Sequence, residues 1–366
     1  LHDDNYLKRT VGLLAKARLE DWQTILEKHP ELKSEEAVVK RMNPGMLIRV
    51  WIAAAVAIIL IVYTTCWYFN NKTDDSKLAT TEKKQLHDVG PPAITKASIT
   101  LANGQVVALD TLKNIMAVVE KNVTVVKNSD GQITYKGNKS NEGSDGVTYN
   151  TLTNPRGSKI VSIRLNDGTT IWLNNESTLR YPVVFNGNER KVELTGEAYF
   201  EVAPSYTKNG KKRSFFVTAN DVTVEVLGTH YNVHNYTDEG TIKVTLLEGS
   251  VKVRNKEQTV VIKPGEQASV SLSSQKSQSI PVQTADIDQV MAWKNSTFYF
   301  NGETLQFIMK QLARYYNVDV VYEGSVPEKK FGGMINRNKN LNEVLNVLEL
   351  SGVHFRVEGN KIIVSN

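Results

Sequence analysis

Residues 159–173 read K-I-V-S-I-R-L-N-D-G-T-T-I-W-L. Apolar and polar side chains alternate on both sides of N-D-G, which is the pattern of two strands joined by a tight turn. The same unit occurs earlier in the chain, where L-A-N-G at 101–104 with Leu109 matches L-N-D-G at 165–168 with Leu173. A repeated strand-turn-strand unit indicates stacked or solenoid-like sheets.

The same alternation, with turns rich in Asn, Asp and Gly, extends over residues 93–270. Many short strands at regular spacing predict an all-β domain, built as a solenoid or a sandwich. The only cysteine, Cys66, lies outside this range, so no disulfide can form within the chain. Burial of apolar surface must therefore hold this domain together.

An uncharged stretch, V-W-I-A-A-A-V-A-I-I-L-I-V-Y-T-T-C-W-Y-F, covers residues 50–69. A helix needs about twenty such residues to cross the hydrocarbon core of a membrane. A buried core helix or an export signal is the alternative, but a cleaved signal has a shorter apolar core and lies nearer the amino terminus. We therefore predict one membrane-spanning helix. We place the amino terminus inside, because a long folded tail is exported with little regard to its charge.

The residues before this span, 1–49, predict a small α-helical head. Leu14, Trp22 and Leu26 belong to apolar stripes at helical spacing. Short helices bury such stripes poorly alone, so they either pack weakly on one another or bind a partner. Residues 70–92, after the span, are polar and lack periodicity, which indicates a linker.

A serine-rich linker, 271–290, precedes a last domain, 291–366. Within that domain, the apolar residues of 305–316 and 341–348 fall on one face of a helix, and the flanking segments have the pattern of strands. The expected order of elements is β-α-β-β-α-β-β. The sequence thus predicts a small carboxy-terminal α/β domain.

No motif for catalysis, a metal or a cofactor stands out in the sequence. Ser273 and Lys276 have the S-x-x-K spacing, but they lie in the flexible linker. His230 and His234 share one face of a predicted strand, at a separation too large for a shared metal. The net charge of +5 does not call for nucleic acid. We expect no enzyme activity, no cofactor, no metal and no direct contact with nucleic acid.

Gly228-Thr229 leaves two interpretations open. A threonine hydroxyl can attack the carbonyl of a preceding glycine, and glycine reaches the strained backbone geometry that an N-to-O acyl shift requires. Alternatively, the glycine forms a bulge or a tight bend between two strands.

Ordered strings in the second half of the chain carry a family resemblance. They are T-N-P-R-G-S at 153–158, L-N-D-G-T-T-I-W-L-N at 165–174, L-T-G-E-A-Y-F-E-V-A at 194–203, L-G-T-H-Y-N-V at 227–233, L-L-E-G-S-V at 246–251 and K-P-G-E at 263–266. Together they resemble the periplasmic domain of FecR-family anti-sigma factors. The motif positions are Pro155, Arg156, Gly157, Asp167, Gly168, Gly196 and Glu197.

A second group of strings lies near the carboxyl terminus: A-W at 292–293, F-Y-F at 298–300 and L-A-R-Y-Y-N-V at 312–318. They resemble the small domain that follows the FecR domain in Bacteroidetes-type members, which is similar to the short N-terminal domain of secretins and TonB-dependent transporters. The resemblance implies a single-pass inner-membrane protein with its amino terminus in the cytoplasm and its carboxyl terminus in the periplasm.

In the FecR family, the cytoplasmic head binds an extracytoplasmic-function sigma factor. The periplasmic part receives a signal from the signalling domain of a TonB-dependent outer-membrane transporter. Some members are cleaved on signalling, including self-cleavage at the Gly-Thr of the L-G-T string, which falls on Gly228 and Thr229 here. The resemblance therefore implies a regulator that releases its sigma factor through regulated proteolysis.

The predicted partners make five residues candidates for binding. Leu14, Trp22 and Leu26 would lie in a groove of the sigma factor, and Tyr315 and Tyr316 would anchor the transporter's signalling domain at a sheet edge. An envelope scaffold or a glycan-binding module is the alternative, since repeated β units also build extracellular binding domains. A periplasmic hydrolase is less favoured, because no nucleophile with a base stands out.

Overall fold

The computed structural model describes residues 88–110, 118–120, 123–128, 132–137, 147–256, 258–273, 279–326 and 328–365. These residues belong to one compact unit, Glu82–Asn366. The predicted head, the predicted span and the first part of the linker at 70–92 lie outside the described residues. Within the residues described, no helix has the length and apolar character needed to cross a membrane.

Most of the described chain is β structure, as the sequence predicts for residues 93–270. The strands are β1 (Ser98–Thr100), β2 (Val106–Ala108), β3 (Val118–Glu120), β4 (Val123–Lys127), β5 (Ile133–Gly137), β6 (Tyr149–Asn154), β7 (Val161–Arg164), β8 (Thr170–Leu173), β9 (Ser177–Pro182), β10 (Arg190–Glu201), β11 (Phe215–Ala219), β12 (Val222–Val226), β13 (His230–Asn235), β14 (Thr241–Glu248), β15 (Val251–Asn255), β16 (Gln258–Ile262), β17 (Glu266–Ser271) and β18 (Val282–Thr284). A short 3₁₀ helix, Thr237–Glu239, joins β13 to β14.

Two long sheets share strand β10. The first has the order β2-β1-β6-β9-β10-β11-β12-β15-β16. The second has the order β3-β4-β5-β7-β8-β10-β13-β14-β17-β18. Neighbouring strands are antiparallel, apart from the parallel pairs β5–β7 and β10–β11. Successive groups of strands alternate between the sheets, so the chain advances along a stacked, solenoid-like β domain.

A continuous core fills the space between the sheets. In many strands, such as β6 and β12, alternate residues are buried, because successive side chains point to opposite faces. Leu152 and Leu179 come from the first sheet, Ile171 and Val233 from the second, and all four are fully buried in this core. Each such side chain stabilises the fold by about 1.5–3 kcal/mol relative to an exposed position.

The repeated unit seen in the sequence forms two hairpins of the same geometry, β1–β2 and β7–β8. In both turns the leucine N–H donates to the carbonyl four residues on, and the glycine N–H donates back to the leucine carbonyl. These distances are 2.8 and 2.9 Å after Leu101, and 2.9 and 3.0 Å after Leu165. Gly104 and Gly168 have φ of 84° and 89°, a backbone conformation that is energetically unfavourable for residues with a side chain.

Strand β10 passes from one sheet to the other at Gly196. Residues before it pair with β9, and residues from it onward pair with β13. Gly196 has φ +85°, and a Cβ there would lie 2.3 Å from Ser177 Oγ and 2.6 Å from the Glu176 carbonyl oxygen. Only glycine therefore fits at this corner.

The carboxy-terminal part combines short sheets with helices. Its elements are α1 (Ile287–Met291), β19 (Thr297–Thr304), α2 (Leu305–Tyr316), β20 (Asp319–Glu323), β21 (Lys330–Asn336), α3 (Leu341–Glu349), β22 (His354–Glu358) and β23 (Lys361–Ser365). From β19 onward the order is β-α-β-β-α-β-β, the same order that the periodicity predicts. Strand β19 pairs with β21, and β23 lies between β20 and β22.

The apolar faces of α2 and α3 form a second core with these strands. Ile308 and Leu312 of α2 and Val344 and Leu348 of α3 are buried there. The amino terminus of α2 is capped by Thr304, whose Oγ1 accepts a hydrogen bond from Phe307 N–H. This cap fixes where the helix begins.

Regular structure reaches into the predicted linker 271–290. Strand β18 pairs with β17, because the edge of β17 offers free backbone hydrogen-bonding groups. Helix α1 follows, and Met291 and Trp293 pack against Tyr199 of β10. This part of the linker therefore runs along the β domain.

Candidate functional site

A histidine between two carboxylates lies where the β domain meets the carboxy-terminal part. Glu197 of β10 and His234 of β13 are directly paired in the sheet, and Glu239 ends the 3₁₀ helix that follows β13. His234 Nδ1 lies 3.2 Å from Glu197 Oε1, and His234 Nε2 lies 2.7 Å from Glu239 Oε2. A protonated imidazole can donate to both carboxylates at once.

The surroundings favour the charged form of all three groups. Burial alone would lower the pKa of His234, but the charges and hydrogen bonds of Glu197 and Glu239 raise the pKa to about 9. Burial would raise the pKa of Glu239, but His234 and a nearby arginine lower the pKa to about 2. Burial would raise the pKa of Glu197, but His234 and the hydrogen bonds of Asn232 and Asn174 together lower it. At neutral pH the cluster holds one imidazolium and two carboxylates.

Amide side chains complete the environment of Glu197. Asn174 Nδ2 donates to Glu197 Oε2 at 2.8 Å, and Asn232 Nδ2 donates to Glu197 Oε1 at 3.0 Å. Each carboxylate oxygen of this buried glutamate therefore has an amide donor. The arrangement holds Glu197 in one fixed orientation.

Arg314, in the last turn of α2, reaches into the same cluster. Its guanidinium contacts Glu239 at 2.5 Å, Asp238 at 2.6 Å and Glu176 at 3.2 Å. It also lies 3.8 Å from the centre of the Tyr236 ring. The Arg314 and Glu239 side chains are 6% and 8% exposed, so their contact lies out of water, whereas Asp238 and Glu176 are about half exposed. Arg314 thus connects α2 to the β domain through charge.

A second contact between the two parts comes from the family motif. Arg156 Nε and Nη2 donate to the Ala313 carbonyl at 3.3 and 3.2 Å, and Nη2 also donates to the Val318 carbonyl. Ala313 lies in the last turn of α2, where the partial negative charge of the helix carboxyl terminus favours a cation. Gly157 N–H donates to the Arg314 carbonyl at 2.9 Å. A Cβ at Gly157 would lie 2.7 Å from Asn317 Cβ, which explains the glycine at this close approach.

Asp167, another family-motif residue, makes its contacts within the β domain. Asp167 accepts from Thr169 and forms a buried ion pair with Arg190 at 2.7 Å, where the arginine side chain is 0% exposed. Arg190 also donates to the carbonyl of Ala203. Pro155 is partly buried beside the contact made by Arg156. Asp167 therefore fastens the turn of the β7–β8 hairpin to β10.

A cavity of about 310 Å³ opens beside this cluster. Its lining includes Asn232, Thr245 and Gln267 from the β domain, and Trp293 and Arg337 from the carboxy-terminal part. These side chains can offer hydrogen bonds, an aromatic surface and positive charge to a small molecule. Glu197, His234 and Arg314 of the charged cluster also line this cavity.

Gly228 and Thr229 lie between β12 and β13, where the β13–β14 register shifts next to His230. The Thr229 hydroxyl is buried and donates to the Ser250 carbonyl at 3.2 Å. Gly228 is exposed, and a Cβ on it would lie 3.2 Å from Pro204 Cγ. The position is a bend between strands, and both of its interpretations remain open.

Tyr315 and Tyr316 lie at the end of α2 and are hydrogen-bonded within the domain. Tyr316 is buried, and its hydroxyl donates to the Lys339 carbonyl at 2.6 Å. Tyr315 is partly buried, and its hydroxyl donates to the Arg337 carbonyl at 2.7 Å. The candidate sigma-binding residues Leu14, Trp22 and Leu26 lie outside the described residues.

Sequence reasoning considered His234 only as a metal ligand and did not single out Arg314, Glu239 or Arg337. In the described part of the chain, no group of His, Cys, Asp and Glu side chains is suited to a metal ion. Arg314 and Glu239 are 75 residues apart in the sequence, so no local pattern marks them as partners. Arg314 looked like an ordinary basic residue in the last turn of a helix.

Known families and structures resemble this chain over most of the described residues. Residues 148–252 match the family described as FecR protein, and residues 297–364 match the family described as FecR, C-terminal. No curated protein matches the chain. Two crystal structures of a candidate anti-sigma factor from Parabacteroides distasonis ATCC 8503 are similar, each with 30% sequence identity and a TM-score of 0.53. The matches cover 58% and 60% of this chain, and 97% and 99% of the matched chains.

Proposed function

Because this chain belongs to the FecR family, we propose that it sequesters an extracytoplasmic-function sigma factor and releases it on a signal from a TonB-dependent outer-membrane transporter. The family is regulatory, and its structural relatives support an anti-sigma role. The observation that carries the proposal is the pair of FecR matches, in order along one chain, with relatives that are 30% identical over nearly their whole length. We further propose that the protein is anchored in the inner membrane by residues 50–69.

The proposed sigma-binding part is the head, 1–49. The apolar stripes that contain Leu14, Trp22 and Leu26 would lie in a groove of the sigma factor. This contact would bury apolar surface that the short helices alone leave exposed to water. While bound, the sigma factor could not join RNA polymerase. With the amino terminus in the cytoplasm, the domains described above lie in the periplasm, where they can meet the transporter's signalling domain.

The proposed entry point for the signal is the carboxy-terminal domain. Strands β20 and β22 form the edges of its three-stranded sheet, and such edges can pair with a strand of a partner. Val321 on β20 is 41% exposed, which leaves an apolar contact at that edge. Of the two proposed anchors, Tyr315 is the more accessible, since Tyr316 lies in the core.

A contact between this domain and the last part of the predicted linker, 70–92, supports a route for the signal. Leu341 N–H, at the start of α3, donates to the Val89 carbonyl at 2.9 Å, and Asn342 N–H donates to Asp88 Oδ1 at 3.2 Å. A partner that moves α3 would therefore pull on residues 88 and 89 of the linker, which leads to the predicted membrane span. We propose that this exposes the linker or the span to a protease, which frees the head.

The sigma-factor part of the proposal is tested by co-purification. The full chain, tagged at its carboxyl terminus and purified in detergent, should retain a purified extracytoplasmic-function sigma factor and keep it from core polymerase. Trp22→Ala should weaken retention by about tenfold or more, as expected for an aromatic anchor of an interface. Gln23→Ala, at the neighbouring polar position, is the matched control and should bind as the unaltered chain does. Failure to retain any such sigma factor, with saccharide binding instead, would favour the glycan-binding alternative.

Self-cleavage at Gly228-Thr229 is tested separately. The Thr229 hydroxyl, which donates to the Ser250 carbonyl, would attack the Gly228 carbonyl carbon. The Gly228–Thr229 C–N bond would then break as the proton passes to the Thr229 nitrogen, and water would hydrolyse the resulting ester to separate the two parts of the chain. Thr229→Ser keeps this hydroxyl and should keep cleavage, whereas Thr229→Ala should give an intact chain, as read by immunoblotting of tags at both ends. An unaltered chain that stays intact throughout induction would exclude self-cleavage.

A further inference from the structure

The floor of the cavity is a row of polar side chains across neighbouring strands. Asn232 of β13 is paired with Thr245 of β14, Thr245 with Gln267 of β17, and Gln267 with Gln283 of β18. Directly opposed residues share one face of a sheet, so these side chains form a line that borders the cavity. Gln267 Nε2 donates to Thr245 Oγ1 at 2.7 Å, which orients part of the row. The row can bind hydroxyl and amide groups.

The carboxy-terminal part covers this row with aromatic side chains. Trp293, Tyr299, Phe307 and Tyr315 line the cavity. Trp293 Nε1 donates to Asn232 Oδ1 at 3.4 Å and so joins the cover to the floor. Polar groups on one side and aromatic faces on the other are typical of sites for small polar organic molecules.

Arg337 is the unusual member of this lining. It is 5% exposed, and its guanidinium lies 4.6 Å from the Phe298 ring centre and 5.2 Å from that of Tyr315. Its Nε has no hydrogen-bond partner, and no carboxylate of the described residues lies within ion-pair distance of its guanidinium. The other deeply buried arginines, Arg190 and Arg314, each have a carboxylate within 3 Å.

The carboxylates that line the cavity already have ion-pair or hydrogen-bond partners. Glu197 pairs with His234 and accepts from two asparagines, Asp286 caps α1, and Glu303 accepts from Gln289. Lys243 also lines the cavity and, among the residues described, contacts an aromatic ring but no carboxylate. Two cations thus border the cavity with no carboxylate of the described residues within ion-pair distance. A buried cation without one is costly, and a bound anion would offset that cost.

We propose that this cavity binds a small organic carboxylate, whose charged group pairs with Arg337 and whose hydroxyl or amide groups contact the polar row. The volume of about 310 Å³ lies at the low end for ligand sites, so the occupant is a small molecule or the end of a short peptide. An acidic sugar and a peptide carboxyl terminus share this chemistry. The inference does not rest on the proposed regulatory role, because binding is measured without a sigma factor.

The test compares acids with matched neutral molecules, using the full chain in detergent and isothermal titration calorimetry. N-acetylmuramic acid is compared with N-acetylglucosamine, which lacks the carboxylate, and N-acetyl-alanyl-alanine is compared with its carboxamide. At least one acid should bind saturably and about tenfold or more tightly than its neutral counterpart, as expected for a charge-assisted contact. The acid that binds identifies a sugar or a peptide as the source.

Substitutions test whether Arg337 is the residue that binds the carboxylate of the ligand. Arg337→Met should abolish the preference for the acid, Arg337→Lys should retain part of it, and Arg356→Met, which removes an exposed arginine, should retain all of it. If Arg337→Met does not fold, Lys243→Met at the border of the cavity should weaken acid binding alone. Equal binding of acid and neutral molecules, no saturable binding by any of the four, or unchanged acid binding by a folded Arg337→Met would overturn the proposal.

Discussion

Replacing His234 with glutamine should remove a pH dependence from the stability of the described unit. In the folded chain, Glu197 and Glu239 raise the pKa of His234 from its ordinary 6.5 to about 9. The unfolded chain loses the histidine proton near pH 6.5, whereas the folded chain keeps it until about pH 9. The folded state therefore binds one more proton between these values.

The size of the effect follows from that difference. A folded pKa above the unfolded value gives stability that is complete below pH 6.5 and is lost as pH rises through about 9. The free energy of unfolding should fall by about 1.4 kcal/mol for each pH unit in this range, and by about 3 kcal/mol in total. The His234 side chain is only 12% exposed, so screening by water reduces this value little.

Urea denaturation between pH 6 and pH 9.5 measures this dependence. The His234→Gln variant should be less stable than the unaltered chain at pH 6 and should approach it at pH 9.5. The matched control is His230→Gln on the same strand, because His230 is 41% exposed and its partner Glu248 is 76% exposed. Stability of the unaltered chain that stays constant across this range, or a slope that survives in His234→Gln, would refute the assigned charge state.

Two further substitutions test the ion pairs between α2 and the β domain and the glycine at which β10 changes sheets. Arg314→Met should lower the free energy of unfolding by about 3 kcal/mol, since it leaves a buried carboxylate without one of its cations; Arg356→Met, at an exposed ion pair, should change it by less than about 1 kcal/mol in the same urea titration. Gly196→Ala should cost more than Gly187→Ala, although both have φ near +85°, because a Cβ at Gly196 would lie 2.3 Å from Ser177 Oγ and one at Gly187 meets nothing within 4 Å. Thermal unfolding should give losses of about 1–2 kcal/mol for Gly187→Ala and clearly more for Gly196→Ala; equal losses would show that the close approach carries no cost.

Local patterns were sufficient for several elements of the fold. Alternation around N-D-G gave the β7–β8 hairpin, and the match between 101–104 and 165–168 gave a second hairpin with the same turn hydrogen bonds. The helical spacing in 305–316 and 341–348 gave α2 and α3. These features depend on residues within a few positions of one another, which a sequence pattern can report.

Regular structure within 271–290 was harder to foresee. A serine-rich composition predicts a flexible linker, but β18 pairs with an edge strand, and α1 leads into a packed tryptophan. Contacts with β17 and Tyr199, which belong to other parts of the chain, stabilise this ordered segment. The composition of a segment does not show which distant residues will contact it.

The sequence by itself determined the alternating strands of the β domain, the order of the elements from β19 onward and the family to which the chain belongs, because alternation, helical spacing and motif strings are local properties. Only the tertiary structure decided that Arg314 meets Glu239 across 75 residues and that Arg337 borders a cavity without a carboxylate partner among the residues described. Charge pairing and burial depend on distances in space, and those distances are fixed only when the two sheets and the helices pack together.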